Sequence, residues 1–199
     1  MQSAWNCLPK HHRRIRDSKP DTLLDGTMSS VNSQDITLQL AGRADAQTIA
    51  TMSRDLVESG LGWEYRAERI RAMIADRDMV TLVARDGDRL MGFASMSFGD
   101  EHAHLVLMAV RPAGQRRGIA RRMTDWLLET AATAGVASIH LELRAQNKDA
   151  YAFYRALGFT ETLRLPGYYR GLETAVRMIR VLRAPRVVPQ PLPWRPPSR

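Results

Sequence analysis

Cysteine is almost absent from this chain: among 199 residues the single one is Cys7. One thiol cannot close an intrachain disulfide, so no disulfide framework holds the fold, and a reducing, cytoplasmic setting is expected. Long apolar runs are missing as well. No uninterrupted hydrophobic stretch approaches the about 18 residues that a membrane span requires. The N-terminal residues carry charge without an apolar segment behind it and do not read as a secretory signal. Metal-ligand sets are equally scarce. His11 and His12 beside one cysteine lack the number and spacing of a zinc site, so no metal is expected. Repeats and low-complexity segments are absent outside the two ends.

What the chain has in excess is positive charge, +8 formally, with a sequence pI near 10.3. Its distribution matters more than its size. Residues 1–20 carry +4 through Lys10, Arg13, Arg14, Arg16 and Lys19 against Asp17, and residues 183–199 carry another +4. The stretch between them has no net charge, so the basic character belongs to the ends. Residues 1–33 lack hydrophobic periodicity and read as a basic, disordered leader, with Met28 offering a second start. Residues 183–199 read as a flexible tail, because Pro185, Pro189, Pro191, Pro193, Pro196 and Pro197 block helix and interior strand. Both ends are expected to be solvated; contact with RNA, the ribosome or an acidic partner is the alternative.

Residues 34–182 are expected to form one domain around one core. Ile36–Leu40 alternates as a strand, and Asp45 is placed to cap a helix carrying Ile49, Met52, Leu56 and Val57 on one face. A second helix covers Ala67–Ala75. Met79–Ala84 and Leu90–Met96 read as a hairpin turning at Asp86-Gly87-Asp88-Arg89, followed by a strand over His102–Val110. Then come a helix from Ile119 to Ala134, a strand over Ser138–Leu143 and a short helix capped by Asn147 and stopped by Gly158. Two last strands bracket a loop at Leu165–Leu172. The order β-α-α-β-β-β-α-β-α-β-β implies an α/β (α+β) fold with about seven strands and four helices.

Gln115-Arg116-Arg117-Gly118-Ile119-Ala120 stands between a strand and a helix. A basic loop with glycine at its tightest point, opening into a helix, suits a phosphate. The first helical N–H groups have no intrahelical partner, and the helix dipole adds partial positive charge there. Arg116, Arg117, Arg121 and Arg122 add longer-range attraction for an anion. As a hexapeptide the pattern is common, and its position carries the weight.

That loop, followed about thirty residues on by Asn147, Tyr154 and Leu157-Gly158-Phe159, resembles the GNAT superfamily of acyl-CoA-dependent N-acetyltransferases. The likeness runs from Ile36 to Leu182. A narrower likeness, to RimI-type enzymes that acetylate protein N-terminal amines, rests on Leu141–Asn147, Tyr151–Phe159 and Gly167-Tyr168-Tyr169. The resemblance implies a mixed, mostly antiparallel sheet splayed at the cofactor cleft. It assigns the acetyl-CoA pyrophosphate to backbone amides of Gln115, Arg116, Arg117, Gly118, Ile119 and Ala120, and the pantetheine arm to the exposed backbone of Met108, Ala109 and Val110. It gives Glu142 as general base, Tyr154 as general acid near the CoA sulfur, and Asn147 as a cofactor contact that also caps its helix. Tyr168 and Tyr169 would line the acceptor groove, with Trp63 and Tyr65 opposite.

Each residue also has a plainer reading. Glu142 in Leu-Glu-Leu is costly inside a strand unless paired, and Arg144 is the nearby candidate partner. Tyr154 fits a packing role beside Phe153 and Leu157. His102 and His104 start a strand on which other GNAT enzymes place a base, and rank second to Glu142. The function expected is acetyl transfer from acetyl-CoA to a primary amine, foremost a protein or peptide N-terminus, in a ternary complex. A small-molecule amine acceptor, and an RNA- or ribosome-binding protein on a GNAT scaffold, are the alternatives.

Overall fold

The computed structural model describes residues 36–183. Cys7, the leader and nearly all of the tail lie outside the described residues. Within them the chain runs β1 (Thr37–Leu40), α1 (Ala46–Leu56), α2 (Ala67–Ala75), β2 (Met79–Asp86), β3 (Arg89–Phe98), β4 (His102–Val110), α3 (Ile119–Thr133), β5 (Ser138–Arg144), α4 (Lys148–Ala156), β6 (Thr160–Tyr169) and β7 (Glu173–Val181). The strands form one seven-stranded sheet in the order β1-β2-β3-β4-β5-β7-β6. Every neighbouring pair is antiparallel except β4 with β5. Parallel neighbours need a long crossover, and α3 supplies it.

Two cores cover the two faces. Ile119, Met123 and Leu127 of α3 and Tyr154 of α4 pack with Leu105, Leu141, Leu143 and Phe159 on one side. Ile49 and Met52 of α1 and Ile70 of α2 pack with Val83, Phe93, Leu107 and Ala109 on the other.

One irregularity organises the rest. Across β3 and β4 the register runs Ser95 to Leu107 and then Met96 to Leu105, which leaves Val106 as an extra residue in β4. A bulge of this kind bends its strand and reverses the alternation of side chains. Accordingly Leu105 belongs to the core under α3 and α4, whereas Leu107 belongs to the core under α1 and α2. At the same point β4 parts from β5. His102–Leu105 pair with Ser138–Leu141 and no later residue of β4 pairs with β5, while β5 stays paired with β7 along its whole length. The expected splay is therefore present, with the bulge as its local cause.

Three expectations are corrected. Asp45 does not cap α1 with its side chain. It ends a short 3-10 turn, and its carboxylate accepts from the Gly42 N–H (2.9 Å) and from Arg85. Leu56 does not join the buried face of α1: it is 39% exposed at the last residue of the helix, while Ala46, Ile49, Ala50 and Met52 are buried in the core and Val57 packs against it. Leu165–Leu172 is mostly strand: β6 continues to Tyr169 through an irregular register, and the chain turns between Arg170 and Leu172.

Candidate active site

The mouth of the splay is built by the loop before α3. Gly118 sits at φ +76°, the left-handed region where a side chain is strained, and a Cβ there would meet nothing within 4 Å. The backbone, not crowding, requires glycine. Arg116 also has a positive φ, 62°. This turn leaves the N–H groups of Arg116 through Arg121 without a hydrogen-bond acceptor among the described residues; the first to find one is Arg122, bonded to the Gly118 carbonyl at 3.0 Å. Six consecutive open donors at a helix start are an arrangement suited to an anion. The Arg116 side chain points to solvent beside Asp149, and Arg117 approaches Asp86 at the end of β2.

Behind the loop, the last rungs of β4 offer an unpaired edge towards β5. The Gln115 side chain donates to the Val110 carbonyl at 3.2 Å, tying the loop to the strand end. The Met108 side chain packs on the α3 side, its sulfur receiving the Thr124 hydroxyl at 3.5 Å, and Ala109 is buried on the other side. Ile119 is buried beneath the loop and anchors the first turn of α3. The Asn147 Oδ1 accepts from the Ala150 N–H at 3.0 Å, so its capping role is real.

Glu142 and Tyr154 lie on opposite faces of the sheet. In β5, Leu141 and Leu143 point into the core shared with Tyr154, so Glu142 between them points to the other face. There its Oε2 meets His104 Nε2 at 2.6 Å and its Oε1 accepts from Arg177 Nε at 2.7 Å. The Glu142 side chain is only 9% exposed, against 37% for His104. Burial alone raises a carboxyl pKa, but here the hydrogen bonds and charges of His104 and Arg177 outweigh it and hold Glu142 below the usual range. Arg177 was not legible beforehand. It is the register partner of Glu142 in β7, flanked by buried Val176 and Met178, and only the β5–β7 pairing puts it there. Arg144, the partner suggested by sequence proximity, instead reaches the Ser59 carbonyl and Glu173.

Tyr154 stacks edge-on against Phe153 (5.1 Å) and Phe159 (5.5 Å). Burial pushes its phenol pKa far above the ordinary value, so it stays protonated. Its hydroxyl has no hydrogen-bond partner among the described residues, yet it is not a sealed polar atom, so it opens at the edge of the core.

His102 stands apart from Glu142. It shares Ser138 Oγ with His140, at 2.9 and 3.0 Å. Burial and then the neighbouring His102 and His104 hold the His140 pKa below the ordinary imidazole value.

The approach to Glu142 is aromatic. Tyr65, Tyr168 and Tyr169 all lie in its electrostatic reach. Burial, then the Glu142 charge, pushes Tyr168 up to about 12. Trp63 differs: Arg54 and Arg66 stack on it at 5.3 and 5.6 Å, and its Nε1 donates to the Tyr65 carbonyl. The connection bearing Tyr65 is pinned by buried Glu58, which accepts from Ser53 Oγ and from the N–H groups of Glu64 and Tyr65. Arg170 joins it to the β6–β7 turn through Glu64 at 3.1 Å. Among the described residues no group of three or more His, Cys, Asp or Glu is placed to hold a metal, and no helix is long and apolar enough to cross a membrane.

Comparison with known proteins points the same way. The model of the Acetyltransferase (GNAT) family matches residues 49–159. An N-alpha-acetyltransferase RimI of Mycobacterium tuberculosis is 32% identical over 147 residues, which is 71% of this chain and 89% of that protein. A [Ribosomal protein bS18]-alanine N-acetyltransferase of Salmonella typhimurium is 38% identical over 94 residues, 46% of this chain. That match spans 64% of the Salmonella protein, less than two thirds of its length. Among solved structures, Arabidopsis thaliana NAA60 in complex with acetyl-CoA superposes with a TM-score of 0.67 at 17% identity, covering 74% of this chain and 99% of that one.

Proposed function

The chain belongs to the GNAT acetyltransferase family, and on that premise we propose that it transfers the acetyl group of acetyl-CoA to a primary amine, in the first place a protein or peptide N-terminus. The single observation that carries the cofactor assignment is the row of open N–H groups from Arg116 to Arg121 at the mouth of the parted strands. Six donors and a helix start suit the two phosphates of a pyrophosphate. The unpaired edge of β4 beyond Val106 suits an amide-bearing arm such as pantetheine, which then lies where another strand would pair. Asn147 stands at the start of α4 near this path.

The thioester at the end of that arm would sit in the gap between β4 and β5. From one face the acceptor amine approaches past Tyr65, Tyr168 and Tyr169 to the hydrogen-bonded pair of Glu142 and His104, which takes its proton; Trp63 braces the wall behind Tyr65. From the other face the Tyr154 hydroxyl meets the sulfur. Burial keeps that phenol protonated, so it stabilises the forming thiolate by hydrogen bonding and passes its proton only as the C–S bond breaks. Attack is direct, in a ternary complex, and the setting is cytoplasmic.

The acceptor reading is supported by relatives whose names specify an N-alpha-amine or a ribosomal-protein alanine. The test incubates the full chain with acetyl-CoA and a library of peptides with free N-termini while free thiol is followed. Release of thiol with acetylated peptide is the expected result. Turnover on polyamines, amino sugars or amino acids with none on any peptide would overturn the acceptor assignment and leave the acetyl transfer standing.

A further inference from the structure

Within the reaction proposed above, on which this step rests, we infer that the acceptor's proton goes to Nδ1 of His104 rather than to Glu142, and that the site is thereby matched to N-terminal α-amines. Four observations carry this. Both oxygens of Glu142 are already engaged, one by His104 Nε2 at 2.6 Å and one by Arg177 Nε at 2.7 Å. The carboxylate is the enclosed member of the pair and the imidazole is the open one, at 9% and 37% exposure. A carboxylate only accepts, so the network assigns the shared hydrogen to His104 Nε2. In the neutral ring His104 Nδ1, which has no partner among the described residues, carries the lone pair. Finally, the position is right: His104–His140 and Leu105–Leu141 are the last rungs before β4 and β5 part, so His104 stands one residue short of the opening.

Residue type separates the two candidate bases: an α-ammonium gives its proton to an imidazole more readily than to a carboxylate. Glu142 is held lower than the reference, which widens the gap. The same comparison separates acceptors. A lysine side chain or polyamine is a weaker acid than an α-ammonium by a factor of about 400, whichever base receives the proton. Arg177 balances the Glu142 charge, which lessens the pull of the site on a strongly basic polycation.

The step balances as follows. The ammonium R–NH3+ gives one proton to His104 Nδ1, and its freed lone pair forms the N–C bond at the thioester carbonyl. The C–S bond breaks, its electron pair leaves on sulfur, and sulfur takes the Tyr154 proton. The second N–H proton returns to the Tyr154 phenolate through solvent. Amide, CoA thiol and a His104 imidazolium remain, and the imidazolium discharges to water. The charged and titratable groups around this imidazolium are Glu142 and His140 on β5, His102 on its own strand and Arg177 on β7, with Tyr65, Tyr168 and Tyr169 in the electrostatic reach of Glu142.

The experiment compares wild type, H104A, H104Q and E142Q with an alanine-first peptide, the same peptide blocked at its α-amine but bearing lysine, and spermidine. Expected for H104A and H104Q is a kcat loss of about 10² or more with acetyl-CoA affinity unchanged, and partial rescue of H104A by added imidazole. The α-amine peptide should exceed the lysine peptide and spermidine at least 100-fold in kcat/KM. Nitrogen NMR of the wild type should show His104 protonated at Nε2. Wild-type-like rates in both His104 variants, a proton on Nδ1 of the neutral ring, or equal use of spermidine overturns the inference while acetyl transfer to peptides survives. Binding of acetyl-CoA with no turnover on any acceptor removes the reaction itself, and this inference with it.

Discussion

At the residue scale the site is organised by two side chains on opposite faces of one sheet, and each makes a prediction of its own. Y154F keeps the ring that packs on Phe153 and Phe159 and removes only the hydroxyl. A fall in kcat of about 10²-fold, with acetyl-CoA affinity and melting temperature close to wild type, is expected from stopped-flow and thermal measurements. Glu142 makes a prediction about stability. Its carboxyl is held below the usual range, so between its folded pKa and the unfolded value of about 4.3 the unfolded chain binds more protons, and stability rises with pH. The urea-midpoint difference between wild type and E142Q should therefore be largest near neutrality and shrink as pH falls below about 4.3. A difference that is constant down to acid pH would contradict the ion-pair geometry. Residue identity was the part of the site most open to reading in advance: Glu142 stood out as a charge between leucines. Its partner did not, because Arg177 is 35 residues away and meets it only through strand register.

At the scale of elements, periodicity located the seven strands and four α-helices of the described residues but not the two short 3-10 helices or the extent of β6, and chemistry at the ends was harder to read. Asp45 has the residue type of a helix cap, yet a 3-10 turn intervenes and its carboxylate serves Gly42 and Arg85. Asn147 is the cap it was expected to be, and N147A should lower stability by about 1 kcal/mol in denaturant unfolding. Gly118 offers a sharper test, since a Cβ there meets no atom and only the positive φ opposes it. G118A should cost about 1 kcal/mol of stability and weaken acetyl-CoA binding measured by calorimetry, because relaxing that φ turns the open N–H groups away from one another. The bulge at Val106 had no sequence signal. Leu105–Val110 is an unbroken apolar run in which no side chain marks the change of face, and the extra residue appears only against the register of β3.

For the whole molecule, the described part contains seven strands, but the sheet is not uniformly joined. β1 to β4 form one piece and β5, β7 and β6 another, and four rungs, from His102–Ser138 to Leu105–Leu141, connect them. Hydrogen exchange should find the β5-facing amides of Val106–Val110 fast in the free protein and slowed on adding acetyl-CoA; unchanged rates would remove the pairing assigned to the pantetheine arm. Those four rungs also form a mechanical seam. Heat or tension applied across the sheet concentrates on a short zipper open at one end. With the cosubstrate lying along that open end as proposed, the zipper would be longer and the loaded protein the stiffer one, and departure of CoA and slackening of the seam would be a single event.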